Sequence, residues 1–209
     1  MCIRDRIRSV LPRQVRTVEY ADDVNIWVKL DRKEDNSYDT GHAQLTLDTI
    51  SDWSERYGIN VSISPNANAT KTYGFLFVAN QAESKWRQPP PPISLLYRGT
   101  ALSFKTECTM LGVTFDTNLN FERHVKNVTD AAKRKLACIS KIVGKDWGGS
   151  TGDTRAACLS QVWPILTYAC NVWVPLLNDG TLTTLRRTAN YMARVITCLL
   201  YTSPSPRDS

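Results

Sequence analysis

Two adjacent aspartates, Asp22 and Asp23, follow Tyr20 and Ala21 in a stretch that otherwise favours β-structure. Neighbouring carboxylates can hold Mg²⁺, a hard cation bound through oxygens at about 2.0–2.1 Å, usually by one or two carboxylates plus phosphate oxygens. Two such ions about 3.5–4 Å apart stabilise the attacking and departing oxygens of a phosphoryl transfer. Successive strand residues point to opposite faces, so paired acids reach one edge only where a turn relaxes the alternation. Unequal roles are therefore expected, one aspartate being the main ligand. The plain alternative is that aspartate simply suits turns, and the dipeptide by itself does not separate the two.

The elements on either side carry more weight. Val18 and Tyr20 alternate before the pair, and Val24, Ile26 and Val28 alternate after it, which predicts a hairpin turning at the acids. Residues 31–39 are polar and form a loop. Ala43, Leu47, Ile50, Trp53 and Tyr57 recur at helical steps, with Gly58 placed to end the helix. Strands are expected at 59–63, at 72–78 (with Tyr73, Phe75 and Phe77 on one face) and at 110–115. A further hairpin is expected to turn at Arg98-Gly99 within 95–102. The prolines at 89–92 predict a stiff extended connector.

From Asn120 the period changes. Val125, Val128, Ala132, Leu136, Ile139 and Val143 predict a long helix, with Gly144 past its end. A second helical pattern runs through Leu159, Val162, Leu166 and Ala169, kinked near Pro164. A third runs through Leu182, Leu185, Ala189, Met192 and Ile196. The expected fold class is α+β: antiparallel hairpins with a helix, then a three-helix bundle, the change falling near 115–120.

The chain has 209 residues, a net charge of +6 and 42% hydrophobic residues, which is globular composition with a bias toward polyanion partners. Neither a run of about 18 apolar residues nor a signal peptide occurs, so no membrane partner is expected, and the setting is cytoplasmic or nuclear rather than secreted. The cysteines at 2, 108, 138, 158, 170 and 198 include no Cys-x-x-Cys pair, and neither histidine stands at ligand spacing from one, so a zinc site is not expected. Residues 1–6 and 199–209 read like translated sequencing-adapter flanks and are set aside.

The run from Val18 to Val28 resembles the Tyr-Ala-Asp-Asp catalytic hairpin of reverse transcriptases, in particular those of non-LTR retrotransposons. The resemblance continues in order. Trp53-Ser-Glu-Arg-Tyr57-Gly58 and Lys71-Thr72 resemble the next motif. Leu111-Gly112-Val113-Thr114-Phe115-Asp116 resembles the family's Leu-Gly-Val-x-Phe-Asp strand near the primer terminus. His124-Val125, Trp163-Pro-Ile-Leu-Thr-Tyr168, Val172-Trp173, Arg186-Arg187 and Arg194-Val-Ile-Thr197 resemble its thumb-like helices.

The resemblance implies a partial palm over 7–116 and a thumb-like region over 117–198. It implies Asp22 as principal Mg²⁺ ligand (Mn²⁺ being an alternative), Asp23 as supporting acid, and Tyr20, Ala21 and Gly112 near the primer end. Lys71 would donate a proton to the departing pyrophosphate. Lys126, Lys133, Arg134 and Lys135 would contact the phosphate backbone, although a solvated helix face would look the same. The implied partners are an RNA template, a DNA primer and deoxynucleoside triphosphates. Two departures accompany it. The segment 64–70 is longer than the family pattern, and no acid in a suitable motif precedes Tyr20, so the chain alone is not expected to polymerise. The competing reading is a basic helical module that binds nucleic acid without chemistry. Trp147, Trp163 and Trp173 are expected in the core rather than stacked on bases.

Overall fold

A computed structural model of the chain describes residues 8–13, 15–20, 23–31, 33–34, 37–63, 71–77, 93–141 and 148–197. The connector at 89–92, the loop 64–70, Gly144 and Trp147 lie outside them. The fold is α+β, built from short two-stranded ladders and helices. It divides into two compact units, Met1–Leu76 with Asn80–Thr106 and Phe77–Ala79 with Glu107–Ser209.

In the first unit β1 (Arg16–Tyr20) and β2 (Asp23–Trp27) pair antiparallel, with Tyr20 opposite Asp23 and Val18 opposite Asn25. Opposed residues share a face, so Val18, Tyr20 and Trp27 stand together on one side of the ladder, and all three are exposed. Helix α1 (Gly41–Arg56) buries Ala43, Thr46, Ile50, Trp53 and Ser54. The buried stripe is rotated from the expected one, toward Thr46 and Ser54 and away from Tyr57. The two hydroxyls tolerate burial because each donates to a backbone carbonyl of its own helix, Thr46 to His42 at 2.7 Å and Ser54 to Ser51 at 2.8 Å. Gly58 ends the helix with φ +63°. Its N–H reaches the Glu55 carbonyl, and that of Ile59 reaches Ser54, which is the Schellman closure.

Strand β3 (Gly74–Phe75) is shorter than the expected 72–78, and it runs parallel to β6 (Phe104–Lys105). Phe77 belongs to the second unit, where it packs edge-on against Phe115 at 6.0 Å between ring centres. Residues 59–63 form no strand, contrary to expectation. Apolar alternation needs a continuous ladder to become a strand, and the single backbone bond from the Thr72 N–H to the Ser62 carbonyl at 3.3 Å does not make one. The hairpin β4 (Leu96–Tyr97) and β5 (Thr100–Ala101) turns at Arg98-Gly99 as expected. It is bound to α1 by side chains that imitate backbone. Gln44 donates to the Leu96 carbonyl at 2.7 Å and accepts from the Leu96 N–H at 2.9 Å. Arg98 donates to the Ser51 carbonyl at 3.1 Å and to the Ser51 hydroxyl at 3.0 Å.

In the second unit the strand expected at 110–115 is instead a hairpin of β7 (Glu107–Met110) and β8 (Val113–Asp116). Leu111 and Gly112 form its two-residue turn, with φ +48° and +81°. Glycine after a residue that also takes positive φ is the composition that a type I′ turn allows, and it divides the apolar run. Within this unit β8 packs on the helix that follows it.

Helix α2 (Glu122–Ser140) follows, and α6 (Asp179–Ile196) packs along it. The middle pattern is broken rather than kinked, into α3 (Thr151–Gln161), α4 (Trp163–Thr167) and α5 (Cys170–Trp173). Pro164 lies in the first turn of α4, where its missing N–H is harmless. Ala169, in the left-handed region at φ +50°, separates α4 from α5. Ser150 and Asp153 form a capping box on α3, and Asn178 caps α6 by accepting the Thr181 N–H at 2.8 Å. One core joins Ala132, Leu136, Cys158, Val162, Leu166, Met192 and Val195. A second joins Val113, Phe121, Val125 and Trp173. Trp173 is thus core, as expected, whereas Trp163 is exposed.

Candidate functional site

The β1–β2 register leaves Ala21 and Asp22 as the two residues between the paired Tyr20 and Asp23, and both lie outside the described residues. Tyr20 is 61% exposed, and Asp23 is exposed beside it at the end of the ladder. None of the described ion pairs engages Asp23. Lys71, in the same unit, is exposed and likewise takes part in none of them. Among the described residues no group of three His, Cys, Asp or Glu could hold a metal ion. The acids of the hairpin end are oxygen donors, of the kind Mg²⁺ accepts, and their number falls short of a complete two-ion site.

Gly112 and the basic helix residues belong to the second unit. A side chain at Gly112 would meet the Tyr168 ring at 3.3 Å. The Tyr168 hydroxyl donates to the Leu111 carbonyl at 2.7 Å. Lys126 and Lys133 line one open groove of about 490 Å³ between α2 and the start of α6, with Thr129, Thr181 and Thr184. Glu122 and Asp130 line the same groove, so its formal charge cancels. Arg134 lies about 100° further round the helix than Lys133, and Lys135 about 200°. The four basic residues therefore do not form one strip: two share the groove and two face elsewhere, all four exposed.

Several residues that hold this unit together carried no assigned role in the sequence. Asp116 accepts the Phe121 N–H at 2.8 Å and the Asn120 N–H at 3.2 Å, which shapes the turn leading into α2. The signal was present, since an aspartate ahead of Thr117-Asn118-Leu119-Asn120 is a turn former. His124 is buried, its ring edge-on to Trp173 at 5.2 Å and to Phe121 at 6.4 Å. Its Nδ1 accepts the Thr114 N–H at 3.2 Å, which ties β8 to α2 and requires that nitrogen to be unprotonated.

Burial lowers the His124 pKa below the ordinary 6.5. The charged groups within two residues of His124 are Glu122, Arg123 (3.8 Å from Glu107) and Lys126. The unfolded chain takes up a proton as pH falls through about 6.5, while the folded chain resists it until its own lower value is reached. Stability from this group is therefore complete above that pH and declines below it, by at most ~1.4 kcal/mol per pH unit. Urea midpoints at pH 7.5 and 5.5 should show this loss, and His124→Asn, which keeps an acceptor at the δ position, should reduce it. Equal acid sensitivity in the variant would assign the effect to other groups.

The chain bears a distant relationship to a reverse transcriptase. It is 26% identical over 167 residues to the RNA-directed DNA polymerase from mobile element jockey of Drosophila melanogaster, covering 80% of this chain. The matched part is 16% of that relative's length. No protein-family model matches the chain, and no solved structure does. Among the described residues no helix is long and apolar enough to cross a membrane.

Proposed function

We propose that the chain is a segment of the RNA-directed DNA polymerase of a non-LTR retroelement, joining the palm hairpin that binds metal to the thumb-like helices that follow it. The observation that supports this reading is the β1–β2 register, which pairs Tyr20 with the exposed Asp23 at the end of the ladder. The elements behind it follow the order of the family's motifs, and the distant polymerase relative points the same way.

In this reading Asp22 is the principal ligand of Mg²⁺ or Mn²⁺, and Asp23 supports it. The bound metal supplies neutralisation of phosphate charge. Tyr20, Ala21 and Gly112 border the primer end, and Lys71 protonates the departing pyrophosphate. Lys126 and Lys133 meet phosphates from the groove, with Arg134 and Lys135 reaching the backbone from other sides of α2. The partners are an RNA template, a DNA primer and deoxynucleoside triphosphates. With two carboxylates and no third in the family's pattern, this chain binds metal weakly and does not polymerise by itself.

Two measurements test this. Primer extension on poly(rA)–oligo(dT) with Mg²⁺ should give no product from this chain; turnover that disappears in Asp22→Ala would overturn the predicted inactivity. Mn²⁺ should enhance water-proton relaxation on binding the chain, and the double variant Asp22→Ala, Asp23→Ala should abolish that enhancement. If the double variant binds Mn²⁺ unchanged, the hairpin is no metal site and the chain is better read as a basic nucleic-acid-binding module.

A further inference from the structure

Helices α3, α4 and α5 form a layer that is apolar on both sides. Cys158, Val162, Leu166 and Trp173 lie on the inner side and are buried. Leu159, Trp163, Tyr168, Val172 and Leu176 are interleaved with them on the outer side, each between 40% and 53% exposed. None of these five belongs to either core. The Tyr168 hydroxyl is already engaged, donating to the Leu111 carbonyl at 2.7 Å, so what this side chain offers is its ring. A helical element that is apolar all round is one with neighbours all round, whereas here only the inner side is closed.

Charge narrows the choice of neighbour. Residues 156–178 include no Asp, Glu, Lys or Arg, in a chain of which 22% is charged and whose net charge is +6. A partner recognised through charge finds nothing here to pair with. Two copies of the chain repel each other through that net charge, and this face is where they can meet without setting like charges opposite. Depletion of charge together with exposed aromatic rings is the composition of an interface core. The outer apolar area is on the order of 500 Å², below the ~800 Å² per partner of a standard interface. That size fits a weak, reversible dimer rather than a permanent one.

We propose that the outer side of the α3–α5 layer is a self-association surface, on which a second copy of the chain packs the same five side chains about a two-fold axis. In such an isologous contact each patch meets its own copy, so an uncharged apolar patch is its own complement. Trp163 and Tyr168 supply the aromatic anchors, the side chains that carry most of the energy in contacts of this kind. The dimer does not depend on the polymerase reading and forms without nucleic acid.

Sedimentation equilibrium of the full chain tests this. With rising concentration the mass should climb from 23.6 kDa toward twice that value, with a Kd of about 10–100 µM, the range for a small interface. Raising NaCl from about 0.15 M to about 0.5 M should tighten the dimer, because salt screens the net charge and no ion pair holds the contact. Association weakened by salt would place the contact on a charged face and overturn the proposal. Trp163→Asp and Val172→Asp each bury a carboxylate in the contact and should raise Kd roughly tenfold or more. Both side chains lie outside the cores, so Tm should stay at the wild-type value, which a merely structural role would not allow. Leu45→Asp, at a leucine 55% exposed in the first unit, should leave Kd unchanged. A chain that stays monomeric at about 500 µM, or a dimer that tolerates both patch substitutions, overturns the proposal.

Discussion

Trp173→Ala is expected to destabilise the helical unit by about 3–5 kcal/mol, the range for removing a large aromatic from a packed core. Trp173 is 0% exposed and sits where Val113, Phe121 and Val125 converge. Three elements lose a neighbour at once: β8 through Val113, α2 through Val125 and the ring of His124, and the α4–α5 junction through the Tyr168 carbonyl. A domain with ordinary total stability of about 5–15 kcal/mol would be left marginal. Trp173→Phe separates the two contributions. It keeps one aromatic ring but loses the pyrrole part with its donor to Tyr168, so it should cost less than the alanine variant, about 1–3 kcal/mol. Urea unfolding followed by circular dichroism gives both numbers. A loss below about 1 kcal/mol in the alanine variant would mean that Trp173 is not the centre of this core.

The second large effect is expected at Asp116. Its carboxylate receives two consecutive backbone N–H groups, those of Asn120 and Phe121. Phe121 is 1% exposed and holds φ +56°, and Leu119 holds φ +55°. Nothing in these side chains favours the left-handed region, so the turn depends on the acceptor that collects its donors. Asp116→Ala leaves a buried N–H without a partner and should cost about 2–4 kcal/mol, the sum expected for charged hydrogen bonds and one unsatisfied donor. Asp116→Asn retains one acceptor oxygen and should cost less than half as much. Asp116 also closes the Leu-Gly-Val-x-Phe-Asp motif, where an acid invites a catalytic assignment. The structure gives it backbone to bind instead. If Asp116→Ala melts with the wild type, the turn is held by other means.

Much of this architecture was legible in the residues because it depends on local periodicity. Helices α1, α2 and α6 follow from apolar spacing, and Gly58 marks the end of α1 by the conformation it alone takes easily. The hairpins at Tyr20–Asp23 and Arg98-Gly99 follow from alternation interrupted by turn formers. What escaped depends on partners distant in sequence. Residues 59–63 alternate as a strand does but find no ladder among the described residues. The turn at Leu111-Gly112 was hidden because leucine is a poor predictor of positive φ, and an apolar run through it looks like one strand. His124, Asp116 and Tyr168 acquire their roles only when β8, α2 and the α4–α5 junction meet. Of the candidate site, the hairpin was legible as an element, whereas the separation of the four basic residues into different faces of α2 required only the helical angle and was passed over.

The β1–β2 ladder has a consequence for how the molecule opens. Among the described residues its two strands pair only with each other, and Val18, Tyr20, Val24 and Trp27 remain exposed upon it. A solitary two-stranded ladder is marginal in water, while α2 and α6 are closed over a common core. Local unfolding free energy follows buried contact, so amide hydrogens of 16–20 and 23–27 should exchange long before those of the helices. Asp23, proposed as a supporting metal ligand, thus ends a ladder that opens readily. Any strand or surface that completed this ladder would raise its local order, and under the proposed function its metal affinity with it.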